Sequence, residues 1–307
     1  TRIRRLRIAH FATGFLGAIA LLAQGDVAAS GCDTVIGKPP PLAHQNGSFL
    51  LHYALEGSNE LSDPRDANSN GVPDIVEDTG LQLQVMHELL MHFGFRNPLM
   101  LDRYAGQGAK VVHVRFVDMK GNGTAMDEPR TPRGQPCGLL INLSTKLSQG
   151  NLTPAHEYFH LLQYAYAPYK RSWYLEGMAR WSETLLGRDA SFGGSTNKTR
   201  KAQPAEVFEM SYDAYSSYWQ SFAQDSRLPA EHHLPKKIRQ ARYTNGDEVL
   251  KDNRIYGIDR MKAALEALRE QGLVDSKRLG LDPAAWPESL QRDPVHDEVI
   301  WNVLQRL

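Results

Sequence analysis

The chain has 307 residues, with 35 basic and 35 acidic side chains and therefore a formal net charge of zero. Hydrophobic residues make up 41% and charged residues 23%, which suffices for a sizeable core and disfavours general disorder. A net charge of zero gives no electrostatic reason to expect nucleic acid as a partner.

The first thirty residues have the pattern of a secretory signal. Four arginines and no acidic residue lie in residues 1–10, an apolar stretch follows at 11–23, and small residues follow at 27–30. We therefore predict a signal peptide at residues 1–29 and a protein that is secreted or lies in the periplasm or cell envelope. Since no later segment approaches ~20 apolar residues, we predict no transmembrane segment in the mature chain.

The two cysteines, Cys32 and Cys137, allow two interpretations. An even number in an exported protein favours a disulfide. Residues 29–32, with the sequence Ala-Ser-Gly-Cys, are also similar to a degenerate bacterial lipobox, in which Cys32 would carry a lipid anchor. The disulfide is preferred because Ala29 stands where leucine is usual, and because residues 24–26 separate the apolar stretch from Cys32.

The apolar pattern places strands in the first half of the chain and helices in the second. Strands are predicted at residues 49–55, 111–117 and 138–143, and helices at 79–93, 154–166, 173–186 and 255–271. Connections are predicted at 31–48, 56–78 and 120–136, where the sequence is polar or rich in glycine and proline. This order indicates an α+β fold, with a sheet and helix lobe over residues 30–165 and a mainly helical lobe over 166–307.

The predicted helix 154–166, for which Thr153 is the expected N-cap, carries an HExxH sequence at residues 156–160. His156 and His160 are four residues apart and share one helix face, so both imidazoles can bind one metal ion. Zinc lowers the pKa of a bound water to ~7, so Glu157 could take its proton near neutral pH. The alternative is a pair of ordinary helix histidines beside a solvated glutamate.

A third ligand is expected because a catalytic zinc commonly has three protein ligands and one position for water. Glu176 is an acid at the otherwise apolar start of the next predicted helix. A return of the chain between the two helices would direct Glu176 at the histidines, and a metal would offset the cost of burying its carboxylate. The alternative is a glutamate favoured there by the helix dipole.

These two segments resemble the gluzincin branch of zinc metallopeptidases, which includes the thermolysin-like enzymes. They are more similar still to secreted bacterial proteins that pair A-A-H-E-[FY]-F-H-x-x-Q with W-x-x-E-x-x-A-x-W, here residues 155–163 and 173–181. The resemblance covers roughly residues 49–225 and implies a zincin-like mixed sheet with an active-site helix. It also implies Zn²⁺ ligands at His156, His160 and Glu176, with Glu157 as general base. The spacing from His160 to Glu176 is shorter than in the best-known gluzincins, so their loop architecture does not transfer.

The resemblance further implies a strand beside the active helix whose edge pairs with an extended peptide. Residues 138–143 are the candidate, and a plain sheet strand is the alternative. The resemblance also implies that a tyrosine or histidine of the C-terminal lobe stabilises the oxyanion, although core packing is the preferred role of Tyr215 and Tyr218. The sequence does not choose among five candidates. These are Tyr212, Tyr215, Tyr218, His232 and His233.

Residues 66–77 fit the twelve-position calcium loop of an EF-hand, with Gly71 at the turn position. The predicted Ca²⁺ ligands are the side chains of Asp66, Asn68, Asn70, Asp74 and Glu77 and the carbonyl of Val72. No helix is predicted before the loop, so a dockerin or thrombospondin type 3 loop is the closer comparison. The alternative is a turn rich in asparagine and glycine.

The motifs together predict a secreted, calcium-stabilised zinc endopeptidase that acts on a protein or peptide. The alternative is a calcium-dependent cell-surface binding protein with a degenerate or structural zinc site. Glu157 favours the enzyme, because hydrolysis requires this carboxylate and zinc binding does not.

Overall fold

The computed structural model of the protein describes residues 31–186, 202–224, 233–250 and 255–307. The predicted signal peptide and the candidate His232 lie outside these residues. Within the described ranges every helix is too short or too polar to cross a bilayer.

Six strands form one mixed sheet in the order β1-β5-β6-β4-β3-β2. The strands are β1 Val35–Ile36, β2 Leu42–Asn46, β3 Phe49–Tyr53, β4 Val111–Val117, β5 Gly123–Pro132 and β6 Gly138–Ser144. Strands β3, β4 and β6 are parallel, whereas β2 and β5 run antiparallel to their neighbours β3 and β6. The short β1 pairs with the end of β5 at Thr131 and Pro132.

Most of the helices follow the sheet in the chain, which confirms the predicted α+β class. They are α1 Asp74–His92, α2 Asp102–Ala105, α3 Thr153–Tyr166, α4 Ser172–Thr184, α5 Pro204–Phe208, α6 Gln220–Gln224, α7 Lys236–Arg239, α8 Ile258–Leu279, α9 Glu288–Gln291 and α10 Val295–Leu304. A π-helical turn, Tyr215–Trp219, precedes α6.

One hydrophobic core joins the sheet to the C-terminal helices. Helix α3 packs against β5 and β6 on one side and against α4 and α8 on the other. Its residues Phe159 and Leu162 are fully buried in the same cluster as Val114 of β4 and Trp181 of α4. Because α3 is enclosed on several sides, the side chains of its first turns are held in fixed positions.

Two predictions about the strands were wrong. Residues 120–136 were predicted as a loop but contain β5, because pairing with β6 outweighs the poor strand propensity of Gly123 and Pro129. The pairing is irregular between Met126 and Arg130. Residues 138–143 cannot be a substrate-binding edge, because β6 is hydrogen-bonded to β4 and β5 on its two sides.

The structure also places the starts of two helices at residues other than those predicted. Helix α1 begins at Asp74 rather than 79, and its polar first turn has buried Ile75 and Val76. Helix α3 begins at Thr153 itself, with Leu152 as N-cap. The side chain of Asn151 accepts the Thr153 N–H at 2.8 Å, so the expected capping oxygen comes from a residue two positions earlier.

Cys32 and Cys137 form a disulfide that joins the first described residues to the segment before β6. Their Cα atoms are 5.4 Å apart, within the usual range. The two interpretations of Cys32 are mutually exclusive, because a sulfur in a disulfide cannot also carry a lipid.

Candidate metal centre

Helices α3 and α4 bring His156, His160 and Glu176 to one point. Oε2 of Glu176 lies 3.2 Å from Nε2 of His156 and 3.5 Å from Nε2 of His160. Ligand atoms around a tetrahedral zinc with bonds of ~2 Å are about 3.3 Å apart, so the distances from Glu176 to the two histidines are those expected around such an ion. In the described part of the chain this is the one group of three His, Cys, Asp or Glu ligand atoms within 4.8 Å of one another.

Two further side chains fix the orientation of the imidazoles. Nδ1 of His156 is 2.8 Å from Oε1 of Glu183, and Nδ1 of His160 is 2.8 Å from Oε1 of Gln163. Both partners are acceptors, since Glu183 is a carboxylate and the Gln163 Nε2 donates to backbone carbonyls. Each Nδ1 therefore carries a hydrogen, and each Nε2 is the ring atom that faces the candidate metal position.

Gln163 also connects the two ligand-bearing helices. It is fully buried, and its Nε2 donates to the carbonyls of Tyr174 and Leu175, both at 3.2 Å. These carbonyls directly precede Glu176. One amide thus orients His160 on α3 and positions the chain at Glu176 on α4.

The electrostatic environment favours positive charge at this centre. Burial opposes a charge on His156, but hydrogen bonds to Glu176 and Glu183 outweigh it and raise its pKa to about 9. Burial likewise opposes a charge on Glu176, but hydrogen bonds to His156 and His160 hold its pKa well below the ordinary value. The same carboxylates stabilise positive charge whether a proton or a metal ion carries it.

Glu157 lies at the same centre but points along the cleft towards β5. It is 7% exposed, and burial is the main cause that raises the pKa of its carboxyl. A Cβ atom on Gly123 of β5 would lie 2.9 Å from Cγ of Glu157 and 2.6 Å from Cγ2 of Thr153. The absence of a side chain at Gly123 therefore allows β5 to approach the start of α3.

An open cleft of about 710 Å³ adjoins His156 and Glu157. Its walls are residues 121–123, residues 150–153 and the side chains of Arg180, Glu183 and Tyr212. The Tyr212 ring is 5.8 Å from the His156 ring, and the Arg180 guanidinium is 5.6 Å from the Tyr212 ring. Burial and the nearby carboxylates of Glu176 and Glu157 raise the pKa of Tyr212 to about 12, so its hydroxyl keeps its proton near neutral pH.

The structure distinguishes the candidate oxyanion residues. Tyr212 borders the cleft, whereas Tyr218 packs in an aromatic cluster with Trp173, Trp219 and Trp301. Tyr215 is buried, and neither Tyr215 nor His233 borders the cleft.

Sequence reasoning missed the roles of Glu183 and Gln163. Glu183 is 5% exposed and is hydrogen-bonded to His156. Its position seven residues after Glu176 places it on the same helix face, which was the available signal. Gln163 follows His160 by three residues and is likewise on a shared face.

The predicted calcium loop is closed by its own polar side chains. Asp66 accepts the backbone N–H groups of Asn70 and Gly71 at 3.2 and 2.8 Å. The Asn68 and Asn70 amides donate to the two oxygens of Glu77 at 3.0 and 2.7 Å. Gly71 has a φ of 88°, a value that glycine adopts without strain.

Asp74 connects the same loop to its helix. It is buried at the first position of α1, and its Oδ1 accepts the Ala67 N–H at 3.0 Å. The predicted side-chain ligands therefore surround one short turn. Their carboxylates do not gather within 4.8 Å as a group of three, and calcium binding stays a prediction.

No protein-family model, curated protein or solved structure matches this chain.

Proposed function

We propose that this protein is a secreted zinc metallopeptidase of the gluzincin type, with a zincin-like fold, that hydrolyses internal peptide bonds. The observation that carries the proposal is the convergence of His156, His160 and Glu176 with Glu157 beside them at an open cleft. The fixed Nδ1 hydrogen bonds of both histidines support it, since they leave each Nε2 available as a ligand.

Each residue has a separate task. His156, His160 and Glu176 would hold zinc, which supplies a Lewis acid and lowers the pKa of a bound water. Glu157 would accept a proton from the attacking water and pass it to the leaving amine. Burial raises the pKa of the Glu157 carboxyl above its ordinary value, which makes it a stronger base than a solvated carboxylate.

The substrate would lie along β5 rather than β6. Residues 123–126 pair with β6 on one side, and β1 joins the other side only at Thr131 and Pro132, so within the described residues this edge has no partner strand. An extended peptide could hydrogen-bond to this edge. Tyr212, which borders the same cleft, would donate its hydroxyl hydrogen to the oxyanion.

The number of protein ligands favours catalysis over a structural zinc site. Structural sites almost always have four protein ligands, whereas catalytic sites commonly have three. Of the three candidate ligands, His156 lines the open cleft together with Glu157, and Glu157 has no task in a site that only binds zinc. These points support the enzyme over the cell-surface binding protein. We propose that calcium bound at residues 66–77 stabilises the folded protein, whichever of these two functions it has.

Metal analysis combined with one substitution tests this function. The purified protein should contain about one zinc per chain, and Glu157→Gln should retain that zinc while lowering kcat by ~10²–10⁴ or more. Activity is measured on a mixed peptide library by mass spectrometry. Glu56→Gln, at an exposed turn, is the matched control and should cleave like the wild type. A wild-type protein that binds no zinc would contradict the proposal.

A further inference from the structure

The side chain of Gln82 on α1 connects three separate segments beside the metal centre. It is 1% exposed, and its Oε1 accepts the Ala155 N–H at 3.2 Å. Its Nε2 donates to the Asn151 carbonyl at 3.0 Å and to the Tyr243 hydroxyl at 2.9 Å. A buried amide with all of these bonds holds its partners in one arrangement.

The bond to Ala155 completes the N-terminus of α3, where the first backbone N–H groups have no partner within a regular helix. Thr153 N–H donates to the Asn151 side chain, and Pro154 has no N–H. His156 N–H donates to the Leu152 carbonyl at 3.1 Å. Ala155 N–H is the remaining donor, and it donates to the side chain of Gln82, a residue of α1 that lies 73 positions earlier in the chain. His156 and Glu157 directly follow it.

The bond to Asn151 fixes one wall of the cleft, which residues 150–153 form. A second contact from α1 holds the residue before this wall. Asp78, one helical turn before Gln82, accepts a hydrogen bond from Gln149 and the Thr244 N–H, the latter at 2.8 Å. Helix α1 therefore fixes both the cleft wall and the first turn of the helix that carries His156.

We propose that Gln82 is a positioning residue of the active site, which sets the first turn of α3 and the cleft wall at residues 150–153. The proposal rests on the proposed peptidase function. The two ends of the amide have separable effects, since Oε1 holds the helix that carries His156 and Glu157, while Nε2 holds the wall beside the substrate. Gln82 neither lines the cleft nor belongs to the candidate ligand group.

Two substitutions separate the ends of this amide. Gln82→Met removes both the acceptor and the donor at similar size, whereas Gln82→Glu keeps an acceptor for Ala155 and removes the donor to Asn151. The methionine variant should lower kcat/KM by roughly ten- to hundredfold through a lower kcat and a higher KM, because small displacements of catalytic groups have large effects on rate. The glutamate variant should mainly raise KM. Gln84→Met on the same helix is the control, because the Gln84 amide bonds to Glu88 away from the cleft.

Amide hydrogen exchange gives a second measurement that does not depend on activity. The Ala155 N–H should exchange at least roughly tenfold faster in Gln82→Met and stay protected in Gln82→Glu, while residues 150–152 exchange faster in both. Zinc content should remain near one per chain. If the wild type cleaves no peptide, the proposed function fails but the exchange results still test the positioning role. Unchanged exchange at Ala155 and at residues 150–152 in Gln82→Met would overturn the positioning role. If Gln82→Met does not fold, unchanged exchange at residues 150–152 in Gln82→Glu would overturn it.

Discussion

Glu183 and His156 lie 2.8 Å apart on two different helices, with both side chains nearly buried and the carboxylate facing Nδ1 of the imidazole. A carboxylate in this position orients a ligand histidine and raises its basicity. Glu183 is thus the fifth acidic or imidazole side chain of the centre, and it faces Nδ1 of His156 rather than the Nε2 that faces Glu176. Under the proposed function, Glu183 would orient His156 for zinc binding.

Glu183→Gln should weaken zinc binding by roughly ten- to hundredfold while the fold is retained. The amide keeps the shape of the side chain but loses the negative charge that stabilises a positively charged centre. Competition with a chromogenic chelator measures the zinc affinity. Glu270→Gln on the exposed side of α8 is the control and should bind zinc like the wild type. Equal zinc affinity in the two variants would show that Glu183 has no such role.

Gly123→Ala should reduce activity at full zinc occupancy. The new methyl group would come within 2.9 Å of Glu157 and 2.6 Å of Thr153, distances that real Cβ atoms do not show, so β5 or Glu157 must move. A displaced general base loses part of the ~10²–10⁴-fold rate enhancement that general-base catalysis contributes. Peptide cleavage and zinc content are measured together. Gly37→Ala, with no atom within 4 Å of the new methyl group and no positive φ, is the control. A variant as active as the wild type would contradict the required close approach.

The sheet also contains a buried histidine pair away from the metal centre. Nε2 of His52 is 3.1 Å from Nδ1 of His113, and Nε2 of His113 is 2.9 Å from the Pro136 carbonyl. That carbonyl accepts only, so His113 carries its hydrogen on Nε2 and accepts the hydrogen of His52 on Nδ1. A second proton on His113 would face the His52 N–H. Both rings are therefore held neutral.

We predict that this pair makes the protein less stable at acid pH. Burial and then the neighbouring His113 and Arg115 lower the pKa of His52 from its ordinary value of 6.5 to about 4, and burial also lowers the pKa of His113. Groups with lowered histidine pKa values contribute stability that is full above pH 6.5 and is lost as the pH falls from 6.5 to about 4. For His52 this amounts to about 1.4 kcal/mol of unfolding free energy per pH unit between pH 6.5 and about 4, and His113 acts in the same direction.

Urea unfolding between pH 7.5 and 4.5 measures this dependence. His52→Gln should flatten the curve of unfolding free energy against pH, because it removes one of the two groups and leaves a neutral donor. His92→Gln, at an exposed position at the end of α1, is the control and should keep the wild-type slope. An equal slope in both variants would rule out the pair as the source.

The elements with a local sequence pattern could be predicted, whereas those that depend on tertiary contacts could not. The strand at residues 111–117 and the helix ending at Tyr166 follow from apolar periodicity, and the convergence of His156, His160 and Glu176 followed from helix geometry with a short connection. Strand β5 has no such signal, because its stability comes from pairing with β6 and from contacts with α3. Gln82 was equally hidden, since its three partners are between 69 and 161 positions away in the chain.

Calcium at residues 66–77 should stabilise the folded protein, because these residues begin the helix that carries Asp78 and Gln82. A ligand that binds only the folded state adds about 2.7 kcal/mol at a hundredfold excess over its Kd. EGTA should therefore lower the Tm and expose residues 60–80 to proteolysis, and Asp66→Ala should do the same in calcium-replete buffer. Asp63→Ala, just before the loop and exposed, is the control for a lost carboxylate. A Tm unaffected by EGTA would show that the hydrogen bonds from Asn68 and Asn70 to Glu77 close this turn without an ion.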